Sequence, residues 1–146
     1  MHKIIVIDPG TSKCGLIIAD LDQKKVYQAE VIKSKYFFEY VKKIYQKEKI
    51  SQFLIGNGTS SKKYIDELSK FIPSLIIAEE KNSTYRAKKR YFEFFPLEGL
   101  RKFLPREIFI LDKNLDALAA LIIMEDYYNC KFEMKDEVCT KTWQKQ

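Results

Sequence analysis

Residues Lys3 to Asp20 constrain the fold of this chain more than any other stretch. Ile4 to Ile7 is an unbroken apolar run and reads as a buried strand. It runs directly into Asp8, Pro9 and Gly10, and a second apolar run follows from Leu16 to Ala19. Two short strands joined by a Gly-containing turn pair as a hairpin, here Lys3 to Asp8 with Cys14 to Asp20. A carboxylate at the end of a buried strand is costly unless something polar or charged meets it. Two roles account for Asp8. It can accept hydrogen bonds from the amides of Gly10 or Thr11, as aspartates in tight turns do. Alternatively it holds a metal ion at the floor of a phosphate-cutting site, with the amides of Gly10 to Ser12 close to a phosphate.

The rest of the chain alternates strand and helix signals. Gln23, Lys24 and Lys25 make a turn, and Val26 to Lys33 reads as a third, more exposed strand. From Tyr36 the period lengthens: Phe37, Val41, Ile44 and Tyr45 share a face opposite lysines, which predicts an amphipathic helix ending near Lys49. Gln52 to Gly56 reads as a short buried strand. In GNGTSSK, Thr59 or Ser60 suits a helix cap, and the following helix turns Tyr64, Leu68 and Phe71 inward before Pro73. Ser74 to Ala78 is another apolar strand, and it delivers Glu79 and Glu80 to its end. Ser83 is placed to cap a helix through Tyr91, after which Pro96, Gly99 and Pro105 break Phe94 to Arg106 into turns. Ile108 to Leu111 leads to a last helix from Asp112 to about Tyr128. This order predicts an α/β fold over residues 1–130: a mixed sheet with a leading antiparallel three-strand meander, parallel additions and helices on both faces. Residues 131–146 read as a polar, loosely held C-terminal tail.

Composition excludes several chemistries. His2 is the only histidine, and the three cysteines, Cys14, Cys130 and Cys139, lack paired metal-ligand spacing. Zinc sites, disulfide frameworks and serine-triad catalysis are thereby disfavoured. The longest apolar run, Ala117 to Met124, falls short of the roughly 20 residues that span a bilayer. No basic-then-apolar leader opens the chain, so a cytoplasmic protein without a membrane partner is expected. The net charge of +6 favours an anionic partner.

An enzyme of this composition works with carboxylates, and three positions stand out. Asp8 and the pair Glu79-Glu80 fall at strand ends, where ligands of open α/β sheets gather. Asp116 lies one turn inside an otherwise apolar helix. Acidic residues in a first turn favour the helix dipole, but Asp112 already suits that role. Three acidic positions without histidine suit the oxygen-seeking ions Mg²⁺ or Mn²⁺. Between Lys81 and Arg106 there are eight Lys or Arg against two Glu, interleaved with Tyr85, Tyr91, Phe92, Phe94, Phe95 and Phe103. Basic residues contact phosphates and aromatics stack on unpaired bases; the plainer alternative is a solvated charged face over core aromatics.

Three motifs carry a resemblance to a known family. IDPGTSKCG at Ile7 to Gly15 resembles the opening motif of the YqgF/RuvX-like proteins, RNase H-like relatives of RuvC-type Holliday junction resolvases. EEKNST at Glu79 to Thr84 resembles their Asp-Glu-Arg-x-Ser/Thr-Thr element, and LDALAALIIMEDYY at Leu115 to Tyr128 their closing Asp-x-x-Ala-Ala helix. The resemblance implies an RNase H-like fold and a metal-dependent nuclease acting on structured RNA or branched DNA, in 5′ processing of pre-16S rRNA or junction cutting. It implies that Asp8, Glu80 and Asp116 are catalytic and hold Mg²⁺ or Mn²⁺, with Glu79 as the other candidate at the second position. Nucleic-acid contacts would fall to Thr11, Lys13, Lys81, Arg86, Lys88, Lys89, Arg90, Arg101, Lys102 and Arg106. A homodimer is left open. The chain departs from the pattern at Lys81, in place of Arg, and at Lys113, where RuvC-type resolvases carry a second acid on the last helix; Asp112 is one residue off. GNGTSSK is closer to the YqgF-like domain of Tex transcription factors, thought to have lost catalysis, so a non-catalytic nucleic-acid-binding module is the alternative. Actin-like ATPases and sugar kinases share the opening turn but need two such domains.

Overall fold

Alternating burial along the first strand divides the interior into two layers. The computed structural model describes residues 2–81, 83–94, 96–105, 115–134 and 141–143. Strand β1 (Lys3–Asp8) directs Ile4 and Val6 to one face of the sheet and Ile5 and Ile7 to the other, the period-2 behaviour of a central strand. β2 (Lys13–Asp20) and β3 (Lys25–Lys33) continue it as an antiparallel meander. β4 (Gln52–Gly56) joins the other edge of β1 in parallel, and β5 (Leu75–Ala78) joins β4, also in parallel. The sheet order is β5-β4-β1-β2-β3, a mixed α/β sheet as the sequence pattern predicts.

Helices α1 (Ser34–Lys47) and α2 (Ser61–Leu68) cover one face. Phe37, Tyr40 and Val41 of α1 and Tyr64 and Leu68 of α2 pack on Ile5, Ile7, Leu16 and Phe53. Tyr45, expected inward, is 42% exposed. Ser60 precedes α2 but makes no capping hydrogen bond with its side chain. The opposite face is covered by α3 (Ser83–Phe94) and α4 (Asp116–Tyr128), with a 3-10 turn at Gly99–Phe103 between them in sequence. Every residue of α4 from Ala117 to Glu125 is buried, the pattern of a helix enclosed on all sides.

Two expectations are corrected. Leu115 occupies the cap of α4 and Asp116 is its first residue, so the helix does not start at Asp112, which itself lies outside the described residues, as do Lys113 and the expected Ile108 to Leu111 segment. The tail also contributes structure: β6 (Glu133–Met134) and β7 (Lys141–Trp143) pair in parallel with successive parts of β3, extending the sheet beyond its meander. Pairing with an existing strand edge supplies the order that so short and polar a segment lacks alone. Among the described residues no helix is long and apolar enough to cross a membrane.

Candidate functional site

Strand register brings the acidic positions together. Asp8 closes β1 directly opposite Gly15 of β2. Ile7 pairs with Ile55 of β4, which sets Gly56 beside Asp8, and Gly56 pairs in turn with Ala78, two residues before Glu80. Alternation points Asp8 to the face that Ile4 and Val6 share, the face under α4.

Glycines make the room. A Cβ at Gly15 would lie 1.9 Å from the main-chain oxygen of Asp116, so glycine there lets the start of α4 rest on β2 next to Asp8. A Cβ at Gly56 or Gly58 would lie 2.9 or 2.6 Å from Glu80 Oε2, so both glycines wall the space that this carboxylate fills. The β1–β2 turn is held independently of Asp8. A Cβ at Gly10 would meet the Lys13 carbonyl oxygen at 2.2 Å. The Tyr64 hydroxyl donates to the Gly10 carbonyl at 2.8 Å and lies 2.9 Å from the Ser34 hydroxyl, which reaches the Thr11 carbonyl at 3.1 Å. The Thr11 and Ser60 hydroxyls meet at 3.1 Å.

Two side chains aim Glu80. Its main-chain N–H donates to Asn57 Oδ1 at 3.0 Å, and the buried Ser83 hydroxyl donates to its Oε1 at 2.8 Å. Its Oε2 is buried without a hydrogen-bond donor among the described residues. Asp8 meets Glu80 carboxyl to carboxyl, and its pKa is pushed up from 3.8 to about 8. Burial is the first cause, followed by the negative charges of Glu80 and Asp116 and by hydrogen bonding with Glu80. Two carboxylates in contact lack any proton to share unless one is protonated, so the pair calls for a proton or a cation between them. Asp116, half-buried, acts on Asp8 through its charge. Among the described residues, no three His, Cys, Asp or Glu side chains are gathered closely enough to form a metal cage. The arrangement is a tight pair with a third acid at longer range.

The structure separates the two neighbouring glutamates. Glu79 is exposed and pairs with exposed Lys81 at 3.1 Å, while Glu80 turns in to Asp8. Sequence reasoning missed Asn57 and Ser83 as partners of Glu80. Both lie inside quoted motifs, but Ser83 reads there as a helix cap and Asn57 carries no signal of its own.

The basic positions divide in the same way. Arg86 makes two hydrogen bonds to Asp126, at 2.5 and 2.7 Å. Arg90, expected at a nucleic-acid surface, turns inward: it bonds Glu125 and the Phe132 carbonyl, each at 2.9 Å, and stacks over Phe94 at 4.3 Å. Its side chain is 11% exposed. Lys88, Lys89, Arg101 and Lys102 are exposed, Lys13 is half-buried, and Arg106 lies outside the described residues. Tyr91 and Phe94 pack on the core, as a structural role requires, whereas Tyr85 and Phe103 stand out in solvent.

Fold and site together define an α/β protein with a half-buried carboxylate pair at the carboxyl ends of its parallel strands β1 and β5, where such sheets bind ligands. No model of a known protein family matches the chain, and comparison with curated proteins gives no match.

Proposed function

We propose that the chain is a divalent-metal-dependent phosphodiesterase of RNase H-like fold that acts on structured nucleic acid. The observation that carries this reading is the Asp8–Glu80 pair, with an orphaned buried oxygen on Glu80 and the charge of Asp116 nearby. The antiparallel meander continued by parallel β4 and β5 supports the fold that the sequence resemblance implies.

The donor set fits a hard cation. It consists of carboxylate oxygens, one of them lacking any donor, and the group has excess negative charge. Asp8 and Glu80 would hold Mg²⁺ or Mn²⁺, and Asp116 would complete the set. Such an ion supplies Lewis acidity toward a phosphoryl oxygen and a more acidic bound water. The chain's own contribution is orientation. Ser83 and Asn57 fix Glu80, Gly15 admits Asp116 to the neighbourhood of Asp8, and exposed lysines of α3 attract a polyanion. Of the two substrate classes implied by resemblance, pre-16S rRNA and branched DNA, RNA is our preferred one.

One observation favours a second reading, a nucleic-acid-binding module without catalysis: the three acids do not close into a cage among the described residues. Thermal melts with Mn²⁺ distinguish a metal site from a structural acid pair. An ion that binds only the folded protein stabilises it by linkage. Millimolar-range Mn²⁺ should raise the melting temperature of the wild type and much less that of Asp8→Asn. Equal shifts in the two proteins would remove the metal from this site.

A further inference from the structure

The outward face of α3 takes no part in holding the fold together. Ser83, Ala87 and Arg90 turn toward the interior, the first two buried and the third bonded to Glu125. Tyr85, Lys88 and Lys89 lie on the other side with i, i+3 and i+4 spacing, so they form one continuous surface. All three are exposed, Tyr85 at 76%. Among the described residues neither lysine pairs with an acid. Along the helix, Asp126 is paired with Arg86, Glu125 with Arg90, and Glu93 with Arg90 and Lys131, and Glu79 before its start is paired with Lys81. The face is therefore positive, with a bare aromatic ring among its lysines.

Its two ends make it directional. Ser83, in the first turn of α3, donates its hydroxyl to Glu80, so the N-terminal end of the helix adjoins the carboxylate pair. At the far end, a cleft is lined by Phe92, Pro96, Leu97 and Lys102. Phe103, in the following 3-10 turn, is 85% exposed.

A flat π-face beside ammonium groups matches a nucleobase joined to phosphodiesters: the ring stacks on the base and the lysines contact phosphates. Stacking of this kind requires an unpaired base, because a duplex closes both faces of each base against its neighbours. A lipid surface or a second copy of the chain would rest on the apolar Leu100, Phe103 and Leu104 exposed beyond α3, whereas the ring on α3 is set among lysines. We propose that this face binds a single-stranded segment of nucleic acid, with one base stacked on Tyr85 and flanking phosphates on Lys88 and Lys89, which presents an unpaired strand to the neighbouring acids. Cleavage of that strand at the acids rests on the nuclease reading; its binding to α3 does not.

Fluorescence anisotropy in EDTA tests it without cleavage, using a labelled oligoadenylate and a hairpin duplex of equal length. Wild type should prefer the single strand. Tyr85→Ala should weaken oligoadenylate binding roughly 5- to 150-fold, the range for loss of one stacked base, and leave duplex binding unchanged. Tyr85→Leu, which keeps apolar bulk without a π-face, should lose as much, while Tyr85→Phe should bind like wild type. Replacing Lys88 and Lys89 with Ala should flatten the salt dependence by about 0.7 log-log units for each phosphate no longer neutralised. Unchanged affinity in Tyr85→Ala and Tyr85→Leu, or a wild type that prefers the duplex, overturns the proposal. So does a wild-type dimer that Tyr85→Ala dissociates, since that assigns the face to a second copy. If the wild type binds the single strand through Tyr85 yet cuts nothing with Mn²⁺, the nuclease reading falls and this proposal stands.

Discussion

A single aspartate links the site to folding stability. In the unfolded chain Asp8 releases its proton near 3.8; in the folded protein it keeps that proton up to about 8. Between these values the folded state binds more protons than the unfolded one, so rising pH removes stability. The contribution of Asp8 is therefore most favourable below the unfolded value and is lost as pH passes through the folded one. In metal-free buffer the wild type should lose melting temperature relative to Asp8→Asn as pH rises from about 5 to about 8. Asn cannot ionise, and it can share a hydrogen bond with Glu80. Parallel pH profiles of the two proteins would show that Asp8 is ionised in the fold and that the pair holds no proton. If Asp8 and Glu80 hold a metal ion, adding Mn²⁺ should release a proton from wild type near neutral pH, because carboxylates bind metal in their deprotonated form.

At the scale of elements, α3 is fastened to α4 by Arg90 and Glu125, whose side chains are 11% and 9% exposed. Breaking a buried pair by removing one member leaves an uncompensated charge and costs about 3–5 kcal/mol. Arg90→Ala should therefore unfold at much lower denaturant than wild type, while Lys88→Ala and Lys89→Ala should stay within about 0.5 kcal/mol. Equal, small effects at all three positions would return Arg90 to the surface. The sequence Lys88-Lys89-Arg90 reads as one charged run, and nothing in charge alone separates its members. The separating signal is periodic: Ala87 is the apolar mark of the inward face, and Arg90 falls three residues after it. The five leading strands were legible because short apolar runs, or alternation in β3, are bounded by turn residues. Strands β6 and β7 were not, because two or three residues carry no period and their order comes from pairing with β3. The start of α4 was misplaced for a related reason: Asp112 looks like a cap, but the chain caps at Leu115, without a side-chain hydrogen bond.

The whole molecule assembles its acids from positions far apart in sequence, and each arrives by a different device. Asp8 comes at a strand end, Glu80 is aimed by Asn57 and Ser83, and Asp116 comes on a helix that Gly15 allows to approach. The three positions could be read in order from the sequence, but the choice between Glu79 and Glu80 needed side-chain direction. Asp116 decides between enzyme and binding module. As the first residue of α4 it has a structural role open to it, favourable interaction with the helix dipole. If that is its only role, Asp116→Asn should cost under about 1 kcal/mol and leave any cleavage intact. If it completes a metal site, its charge is repelled by Asp8 and Glu80 in the metal-free protein. Asp116→Asn should then leave that protein as stable or more so, while Mg²⁺-dependent cleavage of a precursor rRNA fragment or a branched duplex falls by orders of magnitude. Binding to the same nucleic acid should survive, because Lys88 and Lys89 of α3, and not Asp116, are the proposed phosphate contacts. A wild type that binds tightly but cuts neither substrate with Mg²⁺ or Mn²⁺ present would give the molecule to the non-catalytic reading.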